Sequence, residues 1–426
     1  MNSSNQENPA AKRLTKRLAK HLQASDLRGV ALLGSQATAG IARIVEGVHQ
    51  SIWDRLGVPG GRLPGQTRGI TGLAYKSVHG VNRLVGAGLQ ALLKRLEPSL
   101  AAAAQQETPQ RAALLAALNG VMGDTLLASH NPLATPMSLR WRGQALDWQQ
   151  LPPDFKPGSK VLVLIHGLCM NDLQWHASHQ DQTVDHGQSL AQALGYSPVY
   201  LRYNSGLHTS QNGRELAAQL ALLVQHWPLP LEEISVVAHS MGGLLTRSAC
   251  HIATEQGLSW LPLLKNIVFL GTPHHGAPLE RAGNWIDVLL ASTPYTAPLA
   301  KLGHLRSAGI TDLRHGHVRD EDWMGDNRFQ RLPDQRLITP LPAGVNCFAI
   351  AATMAAKRGA LANKLIGDGL VPLHSALGEH SDPRRDLGFA KSEQLICYRM
   401  NHMELLSSPL LTQQMLEWLK PSKARQ

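Results

Sequence analysis

The stretch Ile234-Ser-Val-Val-Ala-His-Ser-Met-Gly-Gly243 decides how this chain reads. Ile234–Ala238 is an apolar run of strand length, and a helical pattern starts immediately after Ser240 and runs through Cys250. A strand that turns into a helix at a serine forces the backbone through a tight, strained turn. Side chains two before and two after that serine would collide with neighbouring backbone. Ala238 and Gly242 are both small, as the turn requires, with Ala at a position where Gly is more usual. The new helix then offers its free N–H groups and positive dipole end at the serine.

Apolar runs alternate with amphipathic segments on either side of this unit. Val161–Ile165, Pro198–Arg202, Asn266–Leu270, Val345–Ile350 and Leu395–Tyr398 read as further strands. Gln188–Leu194, Glu215–Trp227 and Leu410–Leu419 read as helices. Strands alternating with helices of this length predict a parallel α/β sheet covered on both faces. Met137–Trp148 contains a pattern that predicts an antiparallel hairpin at the sheet edge. About seventy residues separate the strand at Asn266–Leu270 from the next, which predicts a lid or cap over about 277–343.

Three loops after strands supply candidate partners for Ser240. Val161–Ile165 ends in His166-Gly167-Leu168, where a loop donating N–H groups to a developing oxyanion belongs. The expected donors are the backbone amides of Leu168 and Met241. Gly367-Asp368-Gly369 follows the strand at Val345–Ile350, and its carboxylate suits the acid that orients a histidine. Asn401-His402-Met403 follows the last strand, and His402 suits the general base. With 20 histidines in the chain, rivals exist. His274 and His275 follow the strand after the elbow and are expected to line the entrance, with Trp285 from the insert shaping an apolar acyl pocket. His239 points off the elbow in this reading and packs. His402 is preferred as base because it alone follows both the acid and the last strand. The order Ser240, Asp368, His402 is the one this architecture requires.

The residues VLIHG, VVAHSMGG, VFLGTPHHG, GDGLVP and NHMELL resemble those of bacterial lipases and esterases of the α/β-hydrolase superfamily, with some similarity to the inositol-deacylase-like branch. The resemblance covers residues of about 137–420. It implies an α/β-hydrolase fold with a mostly parallel central sheet flanked by helices. It implies carboxylic-ester hydrolysis without a cofactor, and a metal is not expected. An acyltransferase or thioesterase with the same residues, or a non-catalytic scaffold on the same fold, stays open.

Composition sets the remaining expectations. The chain has 426 residues and a formal charge of +10. At 43% hydrophobic and 17% charged, it excludes a largely disordered chain. Four scattered cysteines exclude a disulfide scaffold. The basic excess is concentrated in residues 1–110, a net of +8, where only Trp53 and Tyr75 of the 20 aromatics fall. Leu14, Leu18 and Leu22 recur on one face of a basic helical pattern. Residues 1–136 are thus expected to form a basic helical region ahead of a catalytic domain at 137–426. This leader either packs beside that domain or meets an anionic lipid surface. Nucleic acid is not an expected partner, since the zone lacks stacking aromatics. The expected substrate is a small-molecule or lipid ester. The N-terminus lacks an apolar core behind its basic residues, so the expectation is a cytoplasmic protein, peripheral at most to the inner face of the membrane.

Overall fold

The computed structural model describes residues 107–179, 182–277, 307–324, 336–356 and 367–420, with a few positions between 25 and 32. Most of the basic leader, Trp285 and much of the 277–343 insert lie outside the described residues. The chain divides into two compact units. One is residues 1–111 with 126–134, and within it Arg111 pairs with Asp26 at 2.6 Å. The other is residues 112–125 with 135–426. Among the described residues no helix is long and apolar enough to cross a membrane.

The second unit is built on an 8-stranded sheet. Its strands are β1 (Ser138–Trp141), β2 (Gln144–Ala145), β3 (Lys160–Ile165), β6 (Ser197–Arg202), β7 (Glu233–His239), β8 (Leu264–Leu270), β9 (Asn346–Thr353) and β10 (Gln394–Tyr398). A separate small ribbon pairs β4 (Ala177–His179) with β5 (Gln182–Val184). The spatial order is β10-β9-β8-β7-β3-β6-β1-β2. From β10 to β6 every neighbouring pair is parallel. The β1–β2 hairpin closes one edge, antiparallel to β6.

Alternation along the strands explains why both faces are covered. Val161, Val163 and Ile165 enter one apolar core with Leu216 and Leu220 of α3 (Thr209–His226) and Leu244 and Leu245 of α4 (Met241–Gln256). Leu162 and Leu164 enter the other, with Leu190 of α2 (His186–Leu194) and Leu411 and Met415 of α6 (Pro409–Leu419). A strand buried on both faces has no room for a polar side, which is why these runs read as continuously apolar.

Helix α3 begins at Thr209, six residues earlier than the expected Glu215. Its apolar stripe starts only at Leu216, so the first turns look like loop. The amide of Thr209 donates to Asp312 Oδ2 at 2.7 Å, a cap supplied from 103 residues away. Asp312 lies on α5 (Ala308–His315), the described part of the insert, and also accepts from His208 and His317, each at 3.1 Å. In the second unit, residues of α1 (Pro109–Ala128) approach the loop after β3 and the one after β6 closely. A Cβ on Gly120 would stand 2.9 Å from Cys169 Cα. Asn204 Nδ2 donates to Gly123 O at 3.0 Å, and Ser307 Oγ to Gly120 O at 2.7 Å.

Candidate active site

Ser240 sits between β7 and α4 with φ 54° and ψ −123°, a conformation that a non-glycine residue holds only when its surroundings enforce it. Its amide donates to Leu270 O at 2.8 Å, and its carbonyl accepts from Gly243 N at 3.0 Å. A Cβ on Gly242 would stand 2.6 Å from Ile165 O and 2.7 Å from His166 O. Only glycine therefore lets the first turn of α4 close against the end of β3. The strand-to-helix elbow read from the sequence has its steric cause in that contact.

Asp368 and His402 come from two loops at the same end of the sheet. Both are buried. His402 Nδ1 donates to Asp368 Oδ2 at 2.6 Å. Asp368 Oδ1 accepts from the amides of Leu370 and Val371 at 2.9 and 2.7 Å, so the carboxylate is oriented by backbone on one oxygen and by histidine on the other. The His402 amide donates to Asp368 O at 3.1 Å, tying the two loops together. With Nδ1 protonated, Nε2 is left as the basic nitrogen, and it is buried without a hydrogen-bond partner. The ring lies over Gly271, where φ is +58°. A Cβ there would stand 3.1 Å from His402 Nδ1 and Cε1 and 2.7 Å from Leu405 Cδ1. Since Ser240 N is anchored on Leu270 O, the serine and the histidine flank one dipeptide, Leu270-Gly271. His239 packs, as expected, but it does so against His402. The two ring centroids are 4.6 Å apart, and His239 Nε2 donates to His402 O at 3.2 Å.

The loop after β3 is held from several sides. His166 Nδ1 donates to Gly167 O at 2.8 Å, Tyr203 Oη donates to His166 O at 3.0 Å, and the Cys169 amide donates to Ser205 Oγ at 3.0 Å. Asp172, four residues past Leu168, is buried between Arg202 of β6 and Arg140 of β1, the latter at 3.2 Å. Sequence reasoning missed this clamp, because its three members lie on separate elements and share no spacing. The Cys169 thiol is raised to about 12 by burial, which leaves it inert as a nucleophile. Among the described residues, neither the Leu168 nor the Met241 amide donates to another part of the chain. A helix's first N–H groups have no partner within the helix, so Met241 N is open by construction.

Burial pushes the His166 imidazole down to about 4. The unfolded chain binds a proton at this residue near the ordinary value of about 6.5, whereas the folded protein does not until much lower pH. Its contribution is therefore complete above about pH 6.5 and is lost as pH falls toward 4, by about 2 kcal/mol between pH 7 and 5. Urea unfolding at those two pH values should show His166→Asn losing about 2 kcal/mol less than the parent. Equal acid losses in both proteins would contradict this assignment.

The other expected pocket residues lie elsewhere. His274 is fully buried, with its ring 4.8 Å from Phe269 and 5.7 Å from Phe389, and neither nitrogen bonded. His275 Nε2 donates to Gly378 O at 3.0 Å. Both line a cavity whose walls do not include Ser240, Asp368 or His402.

An elbow serine between a strand and a helix of a mostly parallel eight-stranded sheet defines the α/β-hydrolase fold. A family model described as "Domain of unknown function (DUF7379)" matches residues 129–313. A comparison with curated proteins gives no match. Among solved structures, the chain is similar to Aspergillus fumigatus lipase B, at 13% identity and a TM-score of 0.37, over 62% of this chain and 54% of that one. It is similar to the phospholipase PlaB from Legionella pneumophila at 14% identity and a TM-score of 0.31, over 51% and 44%. The esterase Pf2001 of Pyrococcus furiosus matches at 14% identity and a TM-score of 0.34, over 62% and 80%. The chain thus spans about half the length of the lipase and the phospholipase. At such identities and TM-scores these names say nothing about this chain's substrate.

Proposed function

We propose that this protein is a serine hydrolase that cleaves carboxylic esters with an apolar acyl group. The observation that carries the reading is the His402–Asp368 bond at 2.6 Å, with the elbow serine on the neighbouring Leu270-Gly271 step. His402 Nε2 removes the Ser240 proton as Oγ attacks the ester carbonyl. The amides of Leu168 and Met241 receive the oxyanion, each such donor being worth roughly 3 kcal/mol of barrier. Asp368 stabilises the imidazolium, which then protonates the departing alcohol. Water releases the acyl group by the reverse path. Apo enzymes often hold the serine–histidine bond long and close it with substrate, so the unpartnered Nε2 is compatible with this chemistry.

Turnover of p-nitrophenyl esters of increasing chain length tests the proposal. The expected result is saturable hydrolysis rising from acetate to a medium-chain ester. No hydrolysis above the buffer rate at any length, with folded protein, would refute it.

A further inference from the structure

Arg247 lies seven residues along α4 from Ser240, about 10 Å of helical rise. Its side chain is buried at 5% exposure. It donates through Nη2 to Thr339 O, while its buried Nε makes no hydrogen bond. Among the described residues no carboxylate pairs with it. A buried cation without a counter-charge is strongly unfavourable unless something answers it. The nearby carboxylates have their oxygens turned to backbone amides and do not hydrogen-bond to it. Asp322 accepts from Val318 and Arg319 on Oδ2, at 2.8 and 2.9 Å, and from Leu337 on Oδ1 at 2.9 Å. Asp386 accepts from His380 and Gly388, at 3.3 and 2.8 Å.

Arg247 lines a cavity of 80 Å³ together with His274, His275, three further arginines (Arg336, Arg384 and Arg385) and two carboxylates (Asp322 and Asp386). His274 is the second buried polar residue of this wall left unanswered, with both ring nitrogens unbonded. Burial and the charge of Arg247 keep its imidazole neutral, so it adds no positive charge beside the guanidinium. Arg336 Nη1 is fixed by the carbonyls of His274 and Gly316, at 3.3 and 3.0 Å, and Asp382 holds Arg384 at 2.8 Å. The walls therefore carry four guanidiniums against two carboxylates and are rich in donors. A guanidinium fork matches the paired oxygens of an oxyanion in spacing and in plane.

We infer that this cavity is a binding site for one small tetrahedral oxyanion, phosphate either free or as the head of a phosphate monoester, held by the Arg247 guanidinium. The site is separate from the ester chemistry and does not depend on it. Its position two turns down α4 places it on the helix that the serine precedes.

Isothermal calorimetry and thermal melting of the full chain, with inorganic phosphate and with glycerol 3-phosphate against sodium chloride of equal ionic strength, test the inference. The parent should bind one anion saturably and melt higher when it is bound. Arg247→Met should weaken binding at least tenfold. In phosphate-free buffer Arg247→Met should melt at or above the parent, because an uncompensated buried charge is gone. Binding of glycerol 3-phosphate as tight as that of phosphate would identify a monoester headgroup, and binding of phosphate alone would identify the free ion. No saturable heat in the parent, or undiminished binding in a folded Arg247→Met, would overturn the site.

Discussion

Ser240→Ala should lower ester turnover by about 10⁴- to 10⁶-fold while leaving the fold intact. The loss should be this large because the substitution removes the only atom that bonds to the acyl group. The fold should survive because the strained backbone at φ 54° is enforced by contacts that the hydroxyl does not make. These are the Ser240 amide on Leu270 O and the approach of Gly242 to Ile165 O. A methyl group occupies the same Cβ position. Circular dichroism should be superimposable on that of the parent, and labelling by a fluorophosphonate should disappear. Retention of labelling at another serine, with activity within tenfold of the parent, would remove Ser240 from the mechanism.

Asp368→Asn should lower kcat by about 10⁴-fold with little change in KM. The amide is nearly isosteric, and its oxygen can still accept from Leu370 and Val371. Its NH₂ group would then face His402 Nδ1, where the carboxylate accepts at 2.6 Å. Two donors cannot share that line. The imidazole must move its proton to Nε2, and a protonated Nε2 cannot take the serine's proton. The effect is on the tautomer, so it should appear in kcat rather than in substrate affinity. A variant within tenfold of the parent would mean that Asp368 does not orient the base.

The parts legible in the sequence were those written in local pattern. The buried strands show as continuous apolar runs because both faces of the sheet are covered. The elbow shows because its small residues and its strand-to-helix switch fall within ten residues, although the contact that demands Gly242 comes from the end of β3. Asp368 and His402 could be singled out because each follows a late strand, and the structure brings them within hydrogen-bonding distance. What the sequence concealed was long-range pairing. The first turns of α3 are polar, and they are helical because Asp312 caps them from the insert. Asp172 reads as an ordinary loop acid until Arg140 and Arg202 close around it. The seclusion of His274 depends on Phe389, more than a hundred residues later, closing over the ring. No local spacing carries such information.

Helix α1 gives the loop after β3 an ancestry outside the hydrolase motifs. Gly120 lies close enough to Cys169 that any side chain there would collide with its backbone, and Cys169 is the neighbour of Leu168. The path of this loop is therefore written partly in a segment encoded some fifty residues upstream, before the region matched by the family model begins. The loop is not a portable cassette. Recombining this protein with a homologous scaffold would need crossovers placed ahead of α1, so that helix and loop are inherited together.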